Sequence, residues 1–170
     1  MKKTLEVVDD FYGNPMHQRE RALASVSAKQ NGEHRRASDD GRSTDVIDDE
    51  AAERIAEILG LSGSSSPPMV RGYVAFRDPD ARDPLAMQLG QTEWAGIVCL
   101  SPPDECAGSI WFYRQGDVPQ RETLFIPMRF NRMVLFRPSE LGHGVRLESN
   151  KTPDPGLLTQ ILAVDGEPSR

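Results

Sequence analysis

The chain has 170 residues, 38% hydrophobic and 27% charged, enough for one core of ordinary domain size without disulfides or metals. Its net charge of −6 repels phosphate backbones and argues against nucleic acid as a partner. No run reaches the roughly 18 apolar residues of a membrane span, and the opening from Met1 to Asp10 lacks the apolar stretch of a secretory signal, so a cytoplasmic protein that does not engage membranes is expected.

Leu5 to Val8 is a short apolar run that reads as an edge strand. Asn14-Pro15 supplies an N-cap and a proline at the first helical position. The helix that follows is expected to reach about Val26, with Met16, Ala22, Leu23 and Val26 inward and Arg19, Glu20 and Arg21 outward. Residues 28–45 are polar, with few apolar anchors, and read as a mobile surface loop. A second helix is expected over Val46 to Leu59. There Ile47, Ala51, Ile55, Ile58 and Leu59 fall on one stripe, and Gly60 marks the stop. The Ser/Gly/Pro-rich stretch from Ser62 to Pro68 reads as a linker.

From Met69 onward the texture changes to short runs divided by Pro, Gly and Asp. The expected strands are Val70–Arg77, Trp94–Leu100, Ser109–Arg114, Thr123–Pro127, Arg132–Arg137, Val145–Leu147 and Leu157–Val164. Within Ser109–Arg114 the positions alternate, Ser109, Trp111 and Tyr113 on one side and Ile110 and Phe112 on the other. Many short strands at this spacing imply a sandwich or barrel. The expected fold is therefore mainly β, a jelly-roll or cupin-like barrel with two helices packed on it, forming one domain over 1–170.

Several segments, taken together and in order, resemble a bacterial family of small iron/2-oxoglutarate oxygenases with a double-stranded β-helix. They are Val8-Asp9-Asp10-Phe11-Tyr12-Gly13-Asn14-Pro15 with Arg21-Ala22-Leu23, and Glu93 to Leu100. Gly108 to Arg114, Asn131 to Phe136 with His143, and Leu157 to Ile161 complete the set. The resemblance implies an Fe(II) held by two histidines and a carboxylate on one face. Counting back from Trp94, the His-x-Asp pair of the family falls on Gln88 and Gly90. Glutamine is a poor Fe(II) ligand and glycine offers none. The distal histidine is matched by His143. The arginine that pairs with the cosubstrate carboxylate falls on Leu157, which cannot make that bidentate contact. The chain is thus a degenerate relative, and no metal or other cofactor is expected.

The candidate acid/base group is His143, because imidazole titrates near neutrality; the plainer reading is a hydrogen-bonded relic. Glu93 is a candidate proton acceptor if desolvated, against a solvated rim residue. Tyr113 is a candidate orienting group, and Trp94 and Trp111 candidate pocket walls, against ordinary core or sheet-face aromatics. Gln88 is a candidate hydrogen-bond partner for a ligand carbonyl. Asn131 and Arg132 are candidates for contact with an acidic ligand, with strand-edge structure the favoured reading for Arg132. Cys99 is a candidate ligand contact, although a small core residue is the favoured reading, and Cys106 reads as a loop thiol. No nucleophile elbow, dinucleotide fingerprint or P-loop occurs.

Three functions remain open. The first is a metal-independent enzyme of cyclase, isomerase or dehydratase type, acting on an apolar small molecule in bacterial secondary metabolism. The second is a non-catalytic pseudo-oxygenase that holds a ligand or a partner protein. The third is an oxygenase with atypical ligands. A closed apolar pocket lined by Trp and Tyr favours the first, a filled barrel the second, and a polar cluster around His143 the third.

Overall fold

A computed structural model describes residues 3–30, 43–47, 49–61, 68–77, 92–114, 124–147 and 156–165. In chain order the elements are β1 (Leu5–Val8), α1 (Pro15–Gln30), β2 (Ser43–Ile47), α2 (Asp49–Leu59), β3 (Met69–Arg77) and β4 (Trp94–Cys99). They are followed by β5 (Gly108–Arg114), β6 (Leu124–Pro127), β7 (Met133–Phe136), β8 (Leu141–Leu147) and β9 (Leu157–Asp165). Among the described residues the strands make two antiparallel sheets. The larger has the order β1-β7-β4-β9-β3-β2 and the smaller the order β6-β5-β8. This is the two-sheet arrangement of a double-stranded β-helix, with two helices added.

Burial explains which strands read clearly in the sequence. Every residue of β4 and β7 is buried, because both faces of these central strands are covered, and such strands are continuously apolar rather than alternating. One face of the larger sheet joins a core with the helices, in which Trp94, Val98, Met133, Leu135, Leu158 and Leu162 meet Ala22, Ala51 and Ile55. The opposite face joins a second core with the smaller sheet, in which Ala95, Ile97, Cys99, Val134, Phe136, Leu157 and Ile161 meet Ile110, Phe112 and Ile126. By contrast β5 alternates, with Ile110 and Phe112 buried and Trp111 and Tyr113 only partly so.

The helix signals act as expected. Asn14 Oδ1 accepts from the His17 N–H at 3.2 Å, satisfying a donor that the first turn leaves open. At the end of α2, Gly60 has φ +72°. Its N–H donates to Glu57 O at 3.0 Å and the Leu61 N–H to Ala56 O at 2.7 Å, the paired bonds of a Schellman stop. Glu50 ties the helices together. Its carboxylate accepts from the Gly13 N–H at 3.0 Å and from Gln18 Nε2 at 3.1 Å.

Some boundaries differ from expectation. Val46 and Ile47 belong to β2 and pair with Gly72 and Arg71 of β3, so α2 begins at Asp49. Both are β-branched residues and suit a strand beside β3, whereas Asp49 and Glu50 place carboxylates where the helix dipole favours them. The expected loop shrinks at both ends, since residues 28–30 extend α1 and residues 43–45 start β2. Its remainder, 31–42, lies outside the described residues, as does most of the Ser62–Pro68 linker. Met16 is 52% exposed rather than inward, and the side chain of Val26 lies outside the described set.

Candidate functional site

His143 sits in β8 directly opposite Phe112 of β5. It is buried, 7% exposed, and faces the core between the sheets. Its ring lies 4.6 Å from that of Phe136 and 6.4 Å from that of Phe112, centroid to centroid. Phe112 and Phe136 themselves meet edge to face at 5.1 Å. The imidazole is therefore set into an apolar wall built from both sheets. Leu157, fully buried in that core, adds a hydrocarbon surface and no charge.

Trp111 and Tyr113 do not join His143. They lie on the outer face of the smaller sheet, rings 5.4 Å apart. They cover Gly144 and Gly142 of β8 so closely that a Cβ on Gly144 would strike the Trp111 ring and one on Gly142 the Tyr113 ring. These glycines are the space the two rings occupy. The period-two alternation separated Trp111 and Tyr113 from Phe112, but it did not say which set faced inward. The joint pocket expected of Tyr113, Trp111 and His143 is thus not formed, because β5 presents them on opposite faces.

Trp94 is also displaced from that expectation. It belongs to the core beneath the helices, and the Arg137 guanidinium stacks over its ring at 4.4 Å. The same arginine donates from Nη2 to Glu93 Oε1 at 3.0 Å. The Glu93 side chain is 45% exposed, a rim carboxylate with a cationic partner.

Asn131 and Arg132 are committed to holding the chain start. The Tyr12 N–H donates to Asn131 Oδ1 at 2.9 Å, and Asn131 Nδ2 donates to Tyr12 O at 3.0 Å. The Phe11 N–H donates to Asn131 O at 3.0 Å. Asn131 does this at φ +59°, a conformation Asn tolerates better than most residues. Tyr12, 2% exposed, donates its hydroxyl to Gln160 Oε1 of β9 at 2.7 Å. Arg132 makes a bidentate pair with Asp9, Nε to Oδ1 at 2.6 Å and Nη2 to Oδ2 at 2.9 Å. Its Nη1 reaches Pro127 O at 3.0 Å. Those hydrogen bonds hold the Asp9 carboxyl below its ordinary pKa. The segment from Asp9 to Pro15 and the Asn131-Arg132 pair are therefore two halves of one clasp, a pairing across 119 positions that no local spacing could reveal.

Cys99 lies in the core between the sheets, and its Sγ contacts Cys106 Sγ at 2.6 Å. Gln88 and Gly90 lie outside the described residues. Among the described residues no group of three or more His, Cys, Asp or Glu could hold a metal ion, and no helix is long and apolar enough to cross a membrane.

No family model and no curated protein matches the chain. Solved structures do. AviO1 from Streptomyces viridochromogenes Tue57 aligns with TM-score 0.62 at 11% identity, over 99% of this chain and 92% of that one. SnoN, a non-haem α-ketoglutarate-dependent epimerase from nogalamycin biosynthesis, aligns with TM-score 0.53 at 16% identity, over 95% and 78%. A Pseudomonas putida prolyl-4-hydroxylase aligns with TM-score 0.52 at 14% identity, over 97% and 94%. The chain shares the fold of these proteins.

Proposed function

We propose that this chain uses the oxygenase fold without iron, as a metal-independent enzyme that moves a proton on an apolar small molecule in a cyclisation, isomerisation or dehydration. The observation that carries the reading is the placement of His143, a proton-transfer group set into the apolar wall of Phe112 and Phe136. Buried away from bulk water, such a group needs only shape and one acid/base contact for these reactions, although the Trp- and Tyr-lined pocket that would favour them is not formed. That SnoN is an epimerase supports rearrangement, rather than oxygen insertion, as a use of this fold, although SnoN itself depends on α-ketoglutarate.

On the register that the resemblance implies, the donor set does not fit an iron–cosubstrate pair. Leu157, aligned with the arginine of the resembled family, is a wholly buried hydrocarbon and cannot pair with a carboxylate. Gln88 and Gly90 stand at the proposed ligand positions, and neither is an anionic or imidazole donor. Gln88 is proposed to hydrogen-bond the ligand instead, with Cys99 an apolar contact at the end of β4.

A specific observation favours a second reading, a pseudo-oxygenase that only holds a ligand or partner. The large side chains Ile97, Phe112, Phe136, Leu157 and Ile161 already pack together between the sheets.

Incubating EDTA-treated protein with a bacterial metabolite extract in D2O separates the two readings. The enzyme reading predicts isomerisation or deuterium uptake in a defined compound with the wild type, and its loss in His143→Ala at unchanged circular dichroism. Turnover that survives in His143→Ala removes the role of His143. A compound retained by the protein but chemically unchanged supports the ligand-holding reading.

A further inference from the structure

The chain has two cysteines, and the fold brings them together from either side of the crossing between the sheets. Cys99 closes β4 in the larger sheet, and Cys106 lies just ahead of β5 in the smaller one. Cys99 is 1% exposed and Cys106 half-buried, so Cys106 meets solvent while Cys99 is enclosed in the core. Both are held in place. The Cys99 N–H donates to Arg132 O at 3.2 Å, and Cys99 O accepts from the Asn131 N–H at 2.9 Å. The turn carrying Cys106 is closed by the Glu105 N–H on Pro102 O at 2.9 Å and tied to α1 by the Arg19–Glu105 ion pair at 3.6 Å.

We propose that Cys106 is a thiol-modification site at the rim of the sheet core and that Cys99 is its resolving partner, the two forming a reversible disulfide that staples the β4–β5 crossing. The co-reactant is a low-molecular-weight disulfide. In the first step the Cys106 thiolate attacks one sulfur of the reagent. A protein–reagent disulfide forms, the reagent S–S bond breaks, and one reagent thiolate leaves. In the second step Cys99 gives up its proton to a departing thiolate and attacks Cys106 Sγ, displacing the second reagent thiolate. The two protein thiols are oxidised to one disulfide, and the reagent is reduced to two thiols that carry the two protons.

The surroundings fit this division of labour. The hydrogen bond from Cys99 and the charge of Arg132 both pull the Cys106 pKa below its ordinary value, favouring the nucleophilic thiolate. The Cys106 hydrogen bond, burial and the neighbouring charge push Cys99 well above its own. Once Cys106 is capped its charge is gone, and one obstacle to ionising Cys99 goes with it. Arg132 is positioned by Asp9, so the clasp at the chain start also sets the reactivity of the thiol.

The test treats the full chain with oxidised glutathione at neutral pH, quenches with acid and reads the intact mass. The expected wild-type product is a monomer lighter by two hydrogens with no adduct. Cys99→Ser is expected to retain a glutathione on Cys106, and limiting iodoacetamide is expected to label Cys106 before Cys99. A wild type that stays reduced, keeps a stable glutathione adduct, forms disulfide-linked dimers or is alkylated first at Cys99 overturns the proposal. The wild-type mass decides the matter even if Cys99→Ser does not fold.

Discussion

Phe136→Ala is expected to lower stability by about 3–5 kcal/mol, the range for deleting a fully buried aromatic. Phe136 has no exposed surface. It contacts Phe112 edge to face at 5.1 Å and meets the tilted His143 ring at 4.6 Å, so it bridges the two sheets at the candidate site. Folded domains are stable by only about 5–15 kcal/mol, so a loss of this size consumes a large share of the total. Phe136→Leu keeps most of the volume and is expected to cost less than about 1.5 kcal/mol. Urea unfolding checks both through a shift in midpoint at unchanged slope. An alanine variant within about 1 kcal/mol of wild type would mean that the two sheets do not share a packed core at this point.

Asn131→Ala is expected to cost about 2–4 kcal/mol. It removes both amide hydrogen bonds to Tyr12, leaving buried backbone groups without those partners, and it forces alanine into φ +59°. Asn131→Gly loses the same bonds but tolerates that backbone, so it is expected to fall short of the alanine loss by about 1 kcal/mol. Asn131→Asp keeps the acceptor for the Tyr12 N–H but sets a carboxylate oxygen against Tyr12 O in a buried site, so it is expected to cost at least as much as Asn131→Gly. Thermal unfolding of the series checks the order. Equal losses for Ala and Gly would mean that backbone conformation contributes nothing, and no loss in any variant would remove the clasp.

β4 and β7 were legible because they are central and apolar throughout, β9 because most of its residues are apolar, and β5 because it alternates; of β8 only Val145–Leu147 is expected from the sequence, whereas the strand begins at Leu141. The stop at Gly60 and the cap at Asn14 were legible because each depends on a single residue type at a fixed offset. Val46 and Ile47 were misjudged because a β-branched pair next to a helical stripe continues the helical period by chance, and only the presence of β3 beside it decides for a strand.

At the site, the resemblance singled out His143, but its place in β8 and its contacts with Phe112 and Phe136 were not legible, because those rings come from two other strands. The positions of Trp111 and Tyr113 were not legible either, since alternation gives two faces and leaves open which one meets the core. The glycines that resolve the question, Gly142 and Gly144, lie on another strand. The clasp joining Asp9 and Tyr12 to Asn131 and Arg132, and the contact between Cys99 and Cys106, depend on how strands are ordered in the sheets. Both were therefore hidden from any reading of local spacing.

The proposal that the fold is kept and the iron chemistry of the resembled family lost turns on metal affinity. Anaerobic calorimetric titration of the full chain with Fe(II), with and without 2-oxoglutarate, measures it. No saturable binding is expected at millimolar metal, and no gain on adding 2-oxoglutarate. Tight one-to-one binding strengthened by 2-oxoglutarate would contradict it and return the chain to the oxygenases.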